Sequence, residues 1–272
     1  MKNFRSHILN EAALGKACEI LSSRTNPLWN LNRDEWSENS NGIILRMLDS
    51  WSVYGRGQEE LRGPLRTMED IFKCPNRGAW SKTKSGETIY RGVWRRYSKL
   101  NEMDIRLTNS KLLNITGVDS KMLWIYGTAF YKSEIPMHSW SKDLHQASVF
   151  AGGAHVRRPH DLSTTVRMVM KHKVTDPSIT LDLDSVSMNL ENSGEQEVID
   201  HSKNMKVDFA IRMADFIPGI RKNIEGWKQA SPTKPEIGAL KAISNLIGDE
   251  NAAVLAKNKD FIKLMQMEKI PL

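Results

Sequence analysis

HSWSKDLHQASVFAGG, residues 138–153, changes character halfway. In an extended His138-Ser139-Trp140-Ser141 the two hydroxyls, at i and i+2, fall on one side of the chain. From Asp143 the apolar positions Leu144, Ala147, Val149, Phe150 and Ala151 take helical spacing, and Gly152-Gly153 stops the helix. Ser141 is placed to cap that helix at its N-terminus.

Outward from this stretch the chain reads as strands. ETIYRGVWRRY (Glu87–Tyr97) is rich in β-branched and aromatic residues. KMLWIYGTAFY (Lys121–Tyr131) is apolar enough for either strand or helix. TTVRMVMKHKV (Thr164–Val174), SITLDLDSV (Ser178–Val186), EQEVI from Glu195 and KVDFAIRM (Lys206–Met213) all read as strands, the second with clean alternation. Residues 2–21 have the spacing of an amphipathic helix, broken by Asn26-Pro27. Ile43–Trp51 and Pro64–Lys73 read as short helices, and Cys74–Gly78 as a turn. After the Ser231–Pro235 break the composition turns helical again, from Glu236 to Met267. Helices flanking a β-rich middle predict an α+β fold rather than alternating βαβ units.

The totals narrow the class. The 272 residues carry a net charge of +7 and a sequence pI near 9.3. No apolar run approaches the roughly 18 residues of a membrane span. The N-terminus lacks the continuous apolar core of a secretory signal. Two cysteines, Cys18 and Cys74, without a CxxC, argue against a disulfide framework and for a reducing cytosol, with both as buried small hydrophobes. The basic excess is local: 12 Lys or Arg against 7 Asp or Glu between Arg56 and Arg106, and 5 against 1 between Ala151 and Thr175. Such regions attract a phosphate-bearing ligand, nucleic acid or an acidic partner, or serve as solvated surface. His155 and His160 have no spacing that makes a metal site.

Three short motifs carry chemistry. In Tyr90-Arg91-Gly92 a mid-strand arginine offers a rigid fork for phosphate or carboxylate, and the glycine lets a ligand approach the backbone. Ser139-Trp140-Ser141 offers two hydroxyls. Glu195-Gln196-Glu197 places two acids at a strand mouth. On a strand they share a face roughly 6.6 Å apart, where like charges repel and gain nothing for folding. Asp182 and Asp184 form a similar pair, read as the solvent side of their strand.

In this order the motifs resemble the arginine-type mono-ADP-ribosyltransferases, over roughly Glu87 to Met213. SWSKDLHQASVFA looks like that family's serine strand and following helix; Trp140 stands where the family often has Thr, at a position that faces away from the site. The resemblance implies a split β-sandwich core, here residues 76–230, between an N-terminal helical region (12–75) and a C-terminal helical tail (231–272). It implies NAD as co-substrate. Arg91 would hold the NAD phosphates, the Gly92 backbone the nicotinamide amide, and Ser139 would position Glu197. Glu197 would accept hydrogen bonds from the nicotinamide ribose and stabilise positive charge as the glycosidic bond breaks. Glu195 would orient an acceptor arginine on a host protein and take its proton late. Ser141 and Phe150 complete the cofactor-binding set, Phe150 as a ring that either stacks, as Trp140 would, or packs in the core.

MKNFRSHILNE, residues 1–11, resembles the capsid-targeting peptides of internal head proteins of T-even-type bacteriophages, removed after a Leu/Ile-x-Glu site; Leu9-Asn10-Glu11 before Ala12 fits. An ordinary first helical turn reads equally well. The resemblance implies packaging in the virion, entry into the host cytoplasm with the DNA, and acceptors in the transcription or translation machinery. Two other functions stay open: the same fold modifying nucleic acid or hydrolysing NAD, and a non-enzymatic basic head protein that binds DNA.

Overall fold

A computed structural model describes residues 15, 18, 19, 22, 33–36, 72, 74, 83–100, 103–108, 124–132, 138–152, 161–183, 196–202, 204–234 and 236–272. The strands are β1 Thr88–Arg96, β2 Arg106–Thr108, β3 Trp124–Lys132, β4 His138–Ser141, β5 Thr165–Lys173, β6 Thr180–Asp182, β7 Glu197–Asp200 and β8 Asn204–Arg212. The helices are α1 Tyr97–Leu100, α2 Leu144–Gly152, α3 Ile217–Ala230, α4 Ala239–Ile247, α5 Asp249–Ala256 and α6 Lys259–Met267. The fold is α+β: the pairs β2–β3, β3–β8, β5–β8, β4–β7 and β6–β7 are antiparallel, and four helices follow the last strand. Among the described residues no helix is long and apolar enough to cross a membrane, and no His, Cys, Asp and Glu cluster forms a metal site.

The chain forms two compact units that interleave in sequence. One comprises Met1–Ile89, Ile135–Asp143 and Lys173–Lys203; the other comprises Tyr90–Glu134, Leu144–His172 and Asn204–Leu272. The second unit holds β2-β3-β8-β5-β1 in that order. The ambiguous apolar run resolves as β3, which pairs with β8 over nine residues, from Trp124↔Arg212 to Lys132↔Asn204. Val207, Phe209 and Ile211 on β8 and Val166, Met168 and Met170 on β5 are fully buried, which holds the register, because a one-residue slip would turn them outward. Asn251 of α5 accepts the Leu107 N–H at 2.8 Å and donates to the Ile105 carbonyl at 2.9 Å, so it fixes α5 to β2. Asp215, buried after β8, receives Arg167 (Nε, 3.0 Å) and Arg212 (3.2 and 2.8 Å).

The C-terminal region is helical, and its helices bury Ala242, Ile243, Leu255, Phe261 and Met265. Helix α3 is a feature that the sequence reading passed over. Ile217–Ala230 carries Pro218 in its first turn and two interior glycines, which obscure its apolar spacing.

The first unit holds the short ladder β4-β7-β6. Two expectations change here. Ser178–Val186 alternates as a strand, but a 3-10 turn occupies Pro177–Ile179 and the strand is only Thr180–Asp182. Cys18 and Cys74 are not separate buried thiols: they form a disulfide, with Cα atoms 5.1 Å apart. Gly15, Cys18, Glu19 and Ser22 are helical, in keeping with an N-terminal helix. Residues 1–11, both short helices at 43–51 and 64–73 (apart from Phe72), Asp184, His155, His160 and Glu195 lie outside the described residues.

Candidate active site

Within the first unit, register decides which side chains meet. β4 runs antiparallel to β7, with His138↔Asp200, Ser139↔Ile199, Trp140↔Val198 and Ser141↔Glu197. Residues opposite one another share a face. Ser139, Ser141, Glu197 and Ile199 therefore lie on one face, joined by Leu181, which pairs with Ile199. Ser141 is directly across from Glu197, with Cβ atoms about 5 Å apart, and Ser139 is its diagonal neighbour. Leu181 and Ile199 are wholly buried, an apolar floor beside the two hydroxyls and the carboxylate. Glu197 is only 6% exposed. A carboxylate so enclosed interacts strongly with any positive charge that develops next to it, because little water screens the pair.

Trp140 falls on the opposite face and is 2% exposed, so it is a core residue rather than a ring for stacking on a ligand. Ser141 does not cap the helix in the expected way. Its Oγ accepts the N–H of Asp143 at 3.0 Å, a residue that precedes α2, and so shapes the turn that leads into it.

Only the second acid of the motif falls in a described strand, at its first residue. β7 begins at Glu197, and Gln196 before it has φ 51°, in the left-handed region. The regular alternation of the strand therefore stops at Glu197. A non-glycine residue in that conformation costs roughly 1–2 kcal/mol and persists where its surroundings impose it. The surroundings are visible: the Lys142 N–H donates to the Gln196 carbonyl at 3.0 Å. The Lys142 ammonium is in turn ion-paired with Asp182 and lies 3.9 Å from Glu87. Asp182 is 1% exposed, not on the solvent side as its alternation suggested. Lys142 and Asp182 thus brace the glutamate turn. Sequence reasoning missed the pairing because the two residues are 40 apart: Lys142 drew no notice inside the serine stretch, and Asp182 was read as solvent-facing.

In the second unit, Arg91 and Gly92 sit in mid-β1, both half-buried. A Cβ built on Gly92 would come 1.9 Å from the Ala147 carbonyl oxygen and 2.4 Å from the Ala151 nitrogen. The glycine is therefore required by the close approach of α2 to β1, not by a ligand on that side. The small residues of α2 have the same cause: Ala147, Ala151 and Val169 form a buried cluster under Tyr90 and Leu144. Tyr90 and Gly92 face α2, so Arg91 projects from the other face of its strand. Phe150, on α2, is half-buried.

The fold and this side-chain set define an α+β protein with a shielded carboxylate beside two hydroxyls. No family model and no curated protein matches the chain. Among solved structures, the chain is similar to the ADP-ribosyltransferase Vis in complex with the M6 inhibitor, at 17% identity and TM-score 0.32, covering 72% of this chain and 75% of that chain. It is also similar to Vis in complex with agmatine, at 17% identity and TM-score 0.31, covering 72% and 76%. A third is the Vis toxin, an ADP-ribosyltransferase from Vibrio splendidus, at 16% identity and TM-score 0.30, covering 72% and 75%.

Proposed function

We propose that the protein is an NAD-dependent mono-ADP-ribosyltransferase that modifies arginine on host proteins. The observation that carries the reading is the β4–β7 register, which sets Ser139 and Ser141 on the same face as the nearly buried Glu197. A carboxylate flanked by hydroxyls over an apolar floor fits a ribose diol: the carboxylate accepts from the diol, and the serines hold the carboxylate in place. NAD would supply a ribose whose bond to nicotinamide breaks with positive charge developing at the ribose carbon. Glu197 stabilises that charge, and Ser139 fixes its orientation. Arg91 binds the phosphates through its planar fork. Glu195 orients the acceptor guanidinium and takes a proton as the new carbon–nitrogen bond forms. Residues 1–11 would be the capsid-targeting peptide of a protein packaged in a phage head and delivered to the host cytoplasm.

The test is incubation with labelled NAD and a host lysate, with agmatine as a small guanidino acceptor in parallel. Label should appear on protein and on agmatine, and should vanish with Glu197→Ala. Glu195→Gln should keep NAD hydrolysis and lose transfer. NAD turnover without any acceptor would make the chain a glycohydrolase. Label on nucleic acid would change the acceptor class, and steep salt-dependent DNA binding without turnover would make it a head protein.

A further inference from the structure

The second unit contains a cavity of about 800 Å³ where α3 passes over the β1–α1 corner, the Ser163-Thr164 turn and the end of α4. Its size falls in the range of small-molecule sites. Both locally basic stretches of the sequence reach it, the first through Arg96 and the second through Ser163 and Thr164.

Its lining has the parts of a ligand site. Arg96 is exposed and makes no ion pair or hydrogen bond with described residues. Lys222 reaches in from α3 and is held by Ser163 Oγ at 3.3 Å, with Asp161 at 3.9 Å. Trp227 adds a planar ring and Asn223 an amide. Tyr97 supplies a wall rather than a base: its hydroxyl donates to the Asp215 carbonyl at 3.1 Å, and burial pushes it above its ordinary range, so it stays protonated.

The glycines of α3 sharpen the reading. Gly219 has a packing reason, since a Cβ there would come 2.6 Å from the Tyr97 ring. Gly226, one of the cavity-lining residues, has none: a Cβ there would meet nothing within 4 Å. A glycine inside a helix costs about 1 kcal/mol relative to alanine, and the exposed Gly226 carries that cost at the cavity with no packing contact in return.

We infer that this cavity is a binding site for a small phosphorylated nucleoside. Arg96 and Lys222 take the phosphate, the amides and hydroxyls take the sugar, and Trp227 lies against the base. The site is independent of the proposed transferase reading and of Arg91.

The experiment is titration calorimetry of the full chain with AMP, adenosine and inorganic phosphate. AMP should bind more tightly than either fragment. Gly226→Leu fills the space in a helix that favours leucine, and Arg96→Ala removes the unpaired cation. Each should weaken AMP by about tenfold or more. Lys241→Ala, an exposed cation outside the cavity, should have no effect. Absence of AMP binding, binding indifferent to Gly226→Leu and Arg96→Ala with folding confirmed by circular dichroism, or equal weakening by Lys241→Ala would overturn the proposal.

Discussion

Ser141 stands directly opposite Glu197 across the β4–β7 ladder, with its hydroxyl on the carboxylate's face. Ser141→Ala should therefore lower kcat for transfer about tenfold with a smaller change in KM for NAD, because it perturbs the orientation of a group that acts in the transition state. Steady-state kinetics with agmatine measures the split. A rise in KM alone would instead assign Ser141 to ground-state binding of NAD.

Gln196 holds a left-handed backbone between the two glutamates. Gln196→Gly removes the steric cost and should leave activity close to that of the parent. Gln196→Val, a β-branched residue that resists positive φ, should cost about 1–2 kcal/mol of stability or force the turn to change. Comparing the two by denaturation and by transfer rate isolates the backbone from the side chain. Equal behaviour of the two variants would remove backbone conformation as the cause.

Lys142 neutralises the buried Asp182 and anchors the Gln196 carbonyl through its own N–H. Lys142→Met leaves a buried carboxylate without its cation and should destabilise by about 3 kcal/mol. The double variant with Asp182→Asn should recover much of that loss, since the stranded charge is gone. A thermodynamic cycle over the four proteins reads the coupling directly, and additive effects would show that the pair contributes nothing.

Gly92 leaves no room for a side chain against the backbone of α2. Gly92→Ala should cost about 3 kcal/mol, because a carbonyl oxygen cannot move aside without carrying its helix. Gly152→Ala, where a Cβ would meet nothing within 4 Å, should stay within about 0.5 kcal/mol of the parent. Chemical denaturation of both variants checks the contrast.

The sequence made some elements plain for physical reasons. β1, β5, β8 and α2 lie within a residue or two of their expected ranges, because long β-branched runs and a closed helical spacing with a Gly-Gly stop leave few alternatives. α3 was hidden by polar and glycine positions on a helix that packs along only part of its surface. β6 was overestimated because alternation continues past Asp182, where the chain already turns. The serine and glutamate motifs were readable as residue types, but their shared face depends on a pairing between segments more than 50 residues apart. The support from Lys142 and Asp182 has no local signature, and Gly92 looked like a ligand-approach glycine because its contact with α2 is tertiary.

The Cys18–Cys74 bond closes a covalent ring that begins seven residues after Glu11. A protease that nicks the chain inside the ring would leave both fragments joined until a reductant freed them. A cut after Glu11 falls outside it, so the disulfide would not tether the leading peptide, whatever the redox state. On a non-reducing gel these two kinds of processing would leave different traces, and maturation at Glu11 would need no thiol chemistry to finish.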